Sequence, residues 1–503
     1  MKKLSKILSL TLVFILLLST ALLTSCGRTD LESLETDGGS DQVGSYIIKT
    51  EIKDGAIWVT YSNDPTNPVN IGAFGSGDGE GSYSSGGLNF MPLGDGSSYG
   101  VVAGSARYLE EIVIPDSFNG KPVTTILESA FSNATNLKRI TIPNSIVSVG
   151  DSAFYNCGSL EYNEKDNALY LGNAENPYLI LVKAKDTTVT RCDVNAGTIA
   201  ICDNAFNGCS EMSIINIPDS VQNIGSYAFR GCSSFGKINI PEGCTYIGTE
   251  TFYGCSTLQK INIPASVSSI GKSAFESCVS LTEITFTNGS KLVGFANKTF
   301  SGCESLKKIT IPKSVTYIGD NKTTSANDGV FHKCKSLETV GFEQDSQLKQ
   351  IGSYAFDGCE ALKTINLPSS LNQIGTSAFR TCKALTSIAI PDNVLTIAKE
   401  TFYNCTSLKS VSFGKNLTKI GAGAFQACSS INNVIIPASV KTIEKGAFDS
   451  ACTALNAVTF KDPNGWYNVS TAEPIDAELL KDSTTALDIL QNPYEYKMGI
   501  GKP

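Results

Sequence analysis

Sixteen cysteines and one histidine are the side chains with the most chemistry to offer in this 503-residue chain. Thiols close disulfides, hold zinc or pass electrons, and each role has its own spacing. Zinc and dithiol redox sites pair cysteines with two residues between them, and no Cys-x-x-Cys occurs in the sequence. Instead, Cys157, Cys209, Cys232, Cys255, Cys278, Cys303, Cys334, Cys359, Cys382, Cys405 and Cys428 each stand three residues after a phenylalanine. Such a series predicts small, inward-pointing apolar groups whose S–H meets backbone oxygens at a turn. If the segments that carry them stack at strand spacing, about 5 Å, disulfides are the alternative. Cys192 and Cys244 fall on apolar positions of the same pattern, whereas Cys202 and Cys452 have no evident place in it.

His332, in Phe331-His332-Lys333-Cys334, reads as a surface or loop histidine. One histidine cannot build a His-rich metal site and leaves little room for a Ser-His-Asp arrangement. The 48 acids include no pair in a recognisable catalytic setting. Gly75-Ser76-Gly77-Asp78-Gly79 lacks the strand–helix context of a phosphate cradle. The expectation is therefore a non-enzyme, with no catalytic residues, no metal and no cofactor. Net charge is −8, and the first 25 residues hold three lysines and no acid, so leaving them out takes −8 to −11. Without a basic cluster, nucleic acid is excluded as a partner. An apolar fraction of 41 % against 17 % charged residues supports a large core.

That core must be built from a repeat. One unit runs Phe252, Cys255, Leu258, Ile261, Ile263, Pro264, Val267, Ile270, Gly271, Ala274, and Phe275 begins the next. Equivalent phenylalanines stand at 131, 154, 206, 229, 252, 275, 300, 331, 356, 379, 402, 425 and 448; eight of the twelve gaps are 23 residues, the others 52, 25, 31 and 25. In L-x-x-I-x-I the two isoleucines alternate and face one side of a short strand. Proline follows at once and ends it. V-x-x-I-G predicts a second inward turn, with glycine supplying a tight bend. A single coil cannot bury its own apolar face, but stacked coils cover one another and share a core. The predicted fold is a β-rich solenoid, a right-handed array of ~23-residue coils with a parallel sheet, and a ladder of phenylalanine rings about 5 Å apart.

The N-terminus reads as an address. Met1-Lys2-Lys3 precedes an apolar run through Leu16-Leu17-Leu18, the pattern of a secretory signal. It ends in Leu23-Thr24-Ser25-Cys26, which resembles a bacterial lipobox. That resemblance implies cleavage before Cys26 and lipid attachment to it, hence export and a membrane anchor. The organisation expected is a signal over 1–25, a flexible tether over 26–45, a β-rich lead-in over 46–105, with a hairpin around Lys53-Asp54-Gly55, the repeat array over 106–460 and a cap over 461–503. Helical spacing at Leu479, Leu480, Leu487 and Leu490 places a helix in that cap.

The repeat itself, seen in Ile261-Asn262-Ile263-Pro264-Ala265-Ser266-Val267 and Ile270-Gly271-Lys272-Ser273-Ala274-Phe275, resembles the BspA-like class of bacterial leucine-rich repeats. The resemblance implies an exported, surface-displayed protein engaged in adhesion to host or neighbouring cells. It is a scaffold motif and carries no ligand-contacting residues with it.

Interruptions and outward positions remain to be read. The longest gap holds an insertion at 161–188, where Leu169-Tyr170-Leu171 and Leu179-Ile180-Leu181-Val182 flank a polar turn; it predicts a hairpin projecting from the stack. A polar loop spans 320–328. The residue between the strand isoleucines forms an outward, uncharged column, including Asn216, Asn239, Asn262, Thr285, Thr310 and Asn366, the candidate ligand face. The function expected is a lipid-anchored surface protein that binds an extracellular protein or glycan. The alternative is a non-catalytic structural scaffold of the envelope.

Overall fold

The computed structural model describes residues 47–53, 56–61, 64–73, 84–322, 325–469, 471–491 and 496–498. The signal segment, Cys26 and the 26–45 tether lie outside the described residues. Among the described residues no helix is long and apolar enough to cross a membrane. Contacts divide the chain into two units, up to Gly81 and from Ser82 onward. In the first, Ile47–Lys53 pairs antiparallel with Ala56–Tyr61, and that strand pairs antiparallel with Asp64–Ala73.

The second unit is a solenoid with two rows of short parallel strands. The L-x-x-I-x-I segments form the first row, as in Lys260–Ile263, Glu283–Phe286, Lys308–Ile311 and Thr339–Phe342. Register is in phase with the repeat: Ile261 faces Ile284, and Ile309 faces Val340. The V-x-x-I-G segments form the second row of mostly two-residue strands, with Ile224 beside Ile247 and Ile247 beside Ile270. Inward isoleucines, leucines and the repeat phenylalanines are buried between the rows.

Glycine in V-x-x-I-G is required for a reason other than the expected bend. Gly248 and Gly271 do not adopt left-handed backbone. A Cβ on Gly248 would overlap the Ser226 backbone nitrogen, and one on Gly271 would overlap that of Thr249. At these two glycines it is the close approach of the preceding coil, not turn geometry, that leaves no room for a side chain; Ala296, Ala398 and Glu444 occupy the equivalent place in other coils.

The phenylalanine ladder forms as the spacing predicts. From Phe206 to Phe448, successive ring centroids lie 4.9–5.5 Å apart with interplanar angles of 4–15°. Phe131 and Phe154 form a separate stacked pair at 5.8 Å.

Between those two series lies the insertion, and it does not project. Asn163–Lys165, Ala168–Leu171 and Ile180–Ala184 form an antiparallel meander. Its last strand then pairs in parallel with Ala200–Ile201, so it becomes a layer of the second row. Tyr170, Leu171, Leu179, Ile180 and Leu181 are all buried. The unbroken apolar run Leu179-Ile180-Leu181-Val182 is the cause: a strand apolar on both faces belongs inside. The insertion joins two core clusters, one ending at Val182 and one beginning at Ala168.

Both ends are closed by different means. Leu88–Leu93 lies antiparallel to Ser98–Val102, which starts the second row. At the far end Tyr496–Met498 pairs antiparallel with Thr442–Ile443. Helices Ala477–Lys481 and Ser483–Gln491 follow the last coil; Asp476 caps the first by accepting from Glu478 N at 2.9 Å. Leu480 and Leu490 are buried, whereas Leu479, about 100° round the helix from Leu480, is exposed.

Candidate functional site

Alternation in the first strand row decides which side chains meet solvent. Asn216, Asn239, Asn262, Thr285, Thr310 and Asn366 are all exposed, while their neighbours Ile215, Ile261, Ile309 and Ile365 are buried. Part of the column is bonded along the stack. Thr285 Oγ1 donates to Asn262 Oδ1 at 2.9 Å, Asn262 Nδ2 donates to Thr287 Oγ1 at 3.2 Å, and Asn216 donates to Asp193.

Charges near this face are largely paired between coils. Lys260 meets Glu283 at 2.8 Å, Lys335 meets Glu304 at 2.7 Å, Lys363 meets Glu338 at 2.7 Å and Lys383 meets Glu360 at 3.0 Å. Each pair is exposed and contributes at most about 1 kcal/mol. Their effect is on recognition: much of the charge on the rim is compensated, and the column from Asn216 to Asn366 is uncharged, with Asp193, paired to Arg191, at its N-terminal end.

The cysteine series forms a second ladder behind the phenylalanines. Cys232, Cys255, Cys278, Cys359 and Cys405 each donate S–H to the carbonyl of the phenylalanine one coil earlier, at 3.2 Å for Phe206, Phe229, Phe252, Phe331 and Phe379. The described cysteines are free thiols. Burial pushes those of the ladder up, so they resist ionisation. Cys452 takes the same place, donating to Phe425 O at 3.2 Å; one extra residue after Phe448 conceals it in the sequence. Cys202 stands where other coils have the V-x-x-I-G glycine. The strand beneath it, Ile180–Ala184, runs straight where other coils turn, which leaves room for its side chain.

His332 is not the surface histidine that its polar neighbours suggest. It is buried, with Nδ1 3.2 Å from Asp357 Oδ2, and Arg380 Nη1 lies 4.0 Å from the same oxygen. These residues each follow a repeat phenylalanine, a position covered by the adjacent coils. No cluster of three or more His, Cys, Asp or Glu positioned to hold a metal occurs among the described residues. The loop at 320–328 is tied to the preceding coil: Asn297 Nδ2 donates to Asp320 Oδ2 at 3.1 Å, and Lys298 pairs with Asp328 at 3.5 Å.

The site that sequence reasoning missed lies at the insertion. Asp203 Oδ2 accepts from Ser152 N at 2.5 Å, and its Oδ1 accepts from Ser226 N at 2.7 Å. Asp151 Oδ2 accepts from Ser226 Oγ at 2.7 Å. Burial, and then the neighbouring Asp151 charge, push the Asp203 carboxyl up to about 7. Both aspartates stand three residues before a repeat phenylalanine, but only the insertion brings them together. Beside them opens a cleft of about 370 Å³, walled by Phe154, Asn156 and Gly158 on one side and by Lys183, Cys202 and Asp203 on the other. Lys183 Nζ lies 4.9 Å from the centroid of the Tyr162 ring, a cation–π contact at the same cleft.

Comparison with known proteins places this architecture. The family described as BspA type leucine-rich repeat region matches residues 104–173, 187–323 and 324–456, in six copies. Among solved structures, a leucine-rich repeat protein from Bacteroides ovatus is 24% identical, with 75% of this chain and 88% of that one covered and a TM-score of 0.43. A leucine rich cell surface protein from Faecalibacterium prausnitzii is 25% identical over 77% of this chain and 96% of that one, with a TM-score of 0.34. No curated protein matches the chain. With more than half its length matched by that family and every coil built to its pattern, the chain belongs to the BspA-type leucine-rich-repeat proteins.

Proposed function

We propose that this protein is an exported, lipid-anchored binding module that uses its solenoid to hold an extracellular protein or glycan and performs no catalysis. The observation that carries the reading is the uncharged, exposed column on the first strand row, held rigid by the stacked core beneath it. A flat polar face with its flanking charges already paired recognises ligands by hydrogen bonds and shape rather than by net charge. Binding through it is therefore insensitive to moderate salt. Cys26, in its lipobox setting, supplies the anchor, and residues 26–45 the tether.

The test is an array of matrix proteins, mucins and glycans probed with the chain from residue 27 onward. Saturable binding to at least one ligand is expected, weakened at least about tenfold, ~1.4 kcal/mol, by the pair Asn262→Lys and Thr285→Lys. Deleting 161–188 is unsuitable, because Tyr170 and Leu181 belong to the core. A clean negative across the array replaces this reading with that of an envelope scaffold. The anchor is tested separately by metabolic labelling with a fatty acid, which Cys26→Ser should abolish.

A further inference from the structure

Most steps of the solenoid follow one rule of backbone pairing; an exception within the array is Ala427 N, which meets Asp449 Oδ1 at 3.0 Å. Three N–H groups, spaced two residues apart and centred on the repeat phenylalanine, donate to carbonyl oxygens of the next coil. Tyr227 N, Phe229 N and Gly231 N reach Thr249 O, Thr251 O and Tyr253 O at 2.7, 2.8 and 2.7 Å. Ser129 N, Phe131 N and Asn133 N reach Asp151 O, Ala153 O and Tyr155 O at 2.8, 2.8 and 2.9 Å.

At the insertion the rule fails. Ser152 N is met by the Asp203 carboxylate instead of a carbonyl. Phe154 N and Asn156 N have no acceptor among the described residues. The Phe154 ring stacks on Phe131, but among the described residues no ring stacks on its other side, and Phe154 lines the cleft. The opposite wall is partly filled: Ala184 N donates to Ala205 O at 2.6 Å, where a regular coil would place its phenylalanine nitrogen. Cys209, deprived of the usual phenylalanine carbonyl, reaches Asp186 O at 3.8 Å. The cleft is thus a coil-shaped gap, closed at the Asp151–Asp203 end and open at Gly158, where an added Cβ would meet nothing within 4 Å.

We propose that this cleft receives a peptide segment of a partner protein, which completes the missing step. Two of its carbonyl oxygens, two residues apart, accept from Phe154 N and Asn156 N, and an aromatic side chain between them lies on the Phe154 ring. The neighbouring steps define this ligand, since each fills the equivalent place with such a segment. A row of N–H donors selects acceptors, and in the regular steps the equivalent donors are met by neutral peptide carbonyls, so a peptide backbone fits best. The inference rests on the reading of the chain as a binding module and names a second place of attachment, away from the asparagine column.

Hydrogen–deuterium exchange on the chain from residue 27 onward tests it. The probe is the blocked peptide Gly-Ser-Tyr-Ala-Phe-Arg-Gly, the turn that fills a regular step at residues 225–231. Without it, the Phe154 and Asn156 amides should exchange at least about tenfold faster than those of Phe229 and Gly231. Saturating peptide should slow them by about the same factor, whereas a peptide with alanine for phenylalanine should not, and Gly158→Trp should abolish the response. Equal protection of the two pairs in the free chain overturns the proposal. So does a peptide without effect, or a Gly158→Trp variant that still responds. Protection that rises with protein concentration alone assigns the cleft to a second copy and overturns the partner reading. A blank ligand array beside an intact peptide response removes the column as a binding face and leaves the cleft.

Discussion

From Phe229 to Phe425 each coil sits between two like coils; at Phe154 the neighbour on one side is an insertion. The same motif, F-x-x-C-x-x-L, occurs in both places, yet its surroundings differ in ring stacking and in the partners of the turn amides. In the array, rings have partners on both faces, glycines have backbone pressed against them and turn amides have carbonyls to meet. At the break, Phe154 has a stacked ring on one face and the amides of Phe154 and Asn156 have no acceptor among the described residues. Translational repetition supplies those contacts, not the motif within one coil.

Removal of a ring should expose the difference most strongly. Phe379→Ala, with stacked neighbours at 5.3 and 5.5 Å, should lose roughly 3–5 kcal/mol in urea denaturation. Phe154→Ala should lose clearly less, and equal losses would break the comparison. Next is the glycine position. Gly248→Ala drives a Cβ into the preceding coil and should cost about 1–3 kcal/mol. Cys202→Gly, at the equivalent place over the insertion, should stay within about 1 kcal/mol of the parent. Smaller again is the thiol ladder: Cys382→Ala gives up an S–H donated to Phe356 O and should cost about 1 kcal/mol.

A last effect is one of pH and belongs to the break. Asp203 is raised from 3.8 to about 7 in the folded protein, so between those values the folded state holds a proton that the unfolded chain releases. Its contribution to stability therefore falls as pH rises from about 4 to about 7. Asp151→Asn removes the neighbouring charge and should flatten that fall. The readout is the difference in Tm between variant and parent across the range; parallel curves would show that the pair is not coupled.

Much of this was legible in the sequence because the repeat is strict. The 23-residue spacing placed Phe252 over Phe275, and I-x-I placed Asn262 in solvent between two buried isoleucines. What escaped notice lay where local pattern and neighbourhood disagree. Cys452 follows Phe448 by four residues rather than three, although Leu455 three residues later marks its register. Leu179-Ile180-Leu181-Val182 was visible as apolar, but burial on both faces distinguishes an inserted layer from an external hairpin. His332 carries no pattern of its own; the coils on either side decide its burial. Asp151 and Asp203 are 52 residues apart, and no periodicity pairs them until the intervening strands are folded.

The row of turn amides has one further implication. Donors point toward the C-terminal end and acceptors toward the N-terminal end, so two copies could in principle join head to tail into an unlimited filament. The antiparallel strands Leu88–Leu93 and Tyr496–Met498 interrupt that polarity at both termini of the second row. They blunt the second row, where an unbroken parallel edge would otherwise offer a template for another chain.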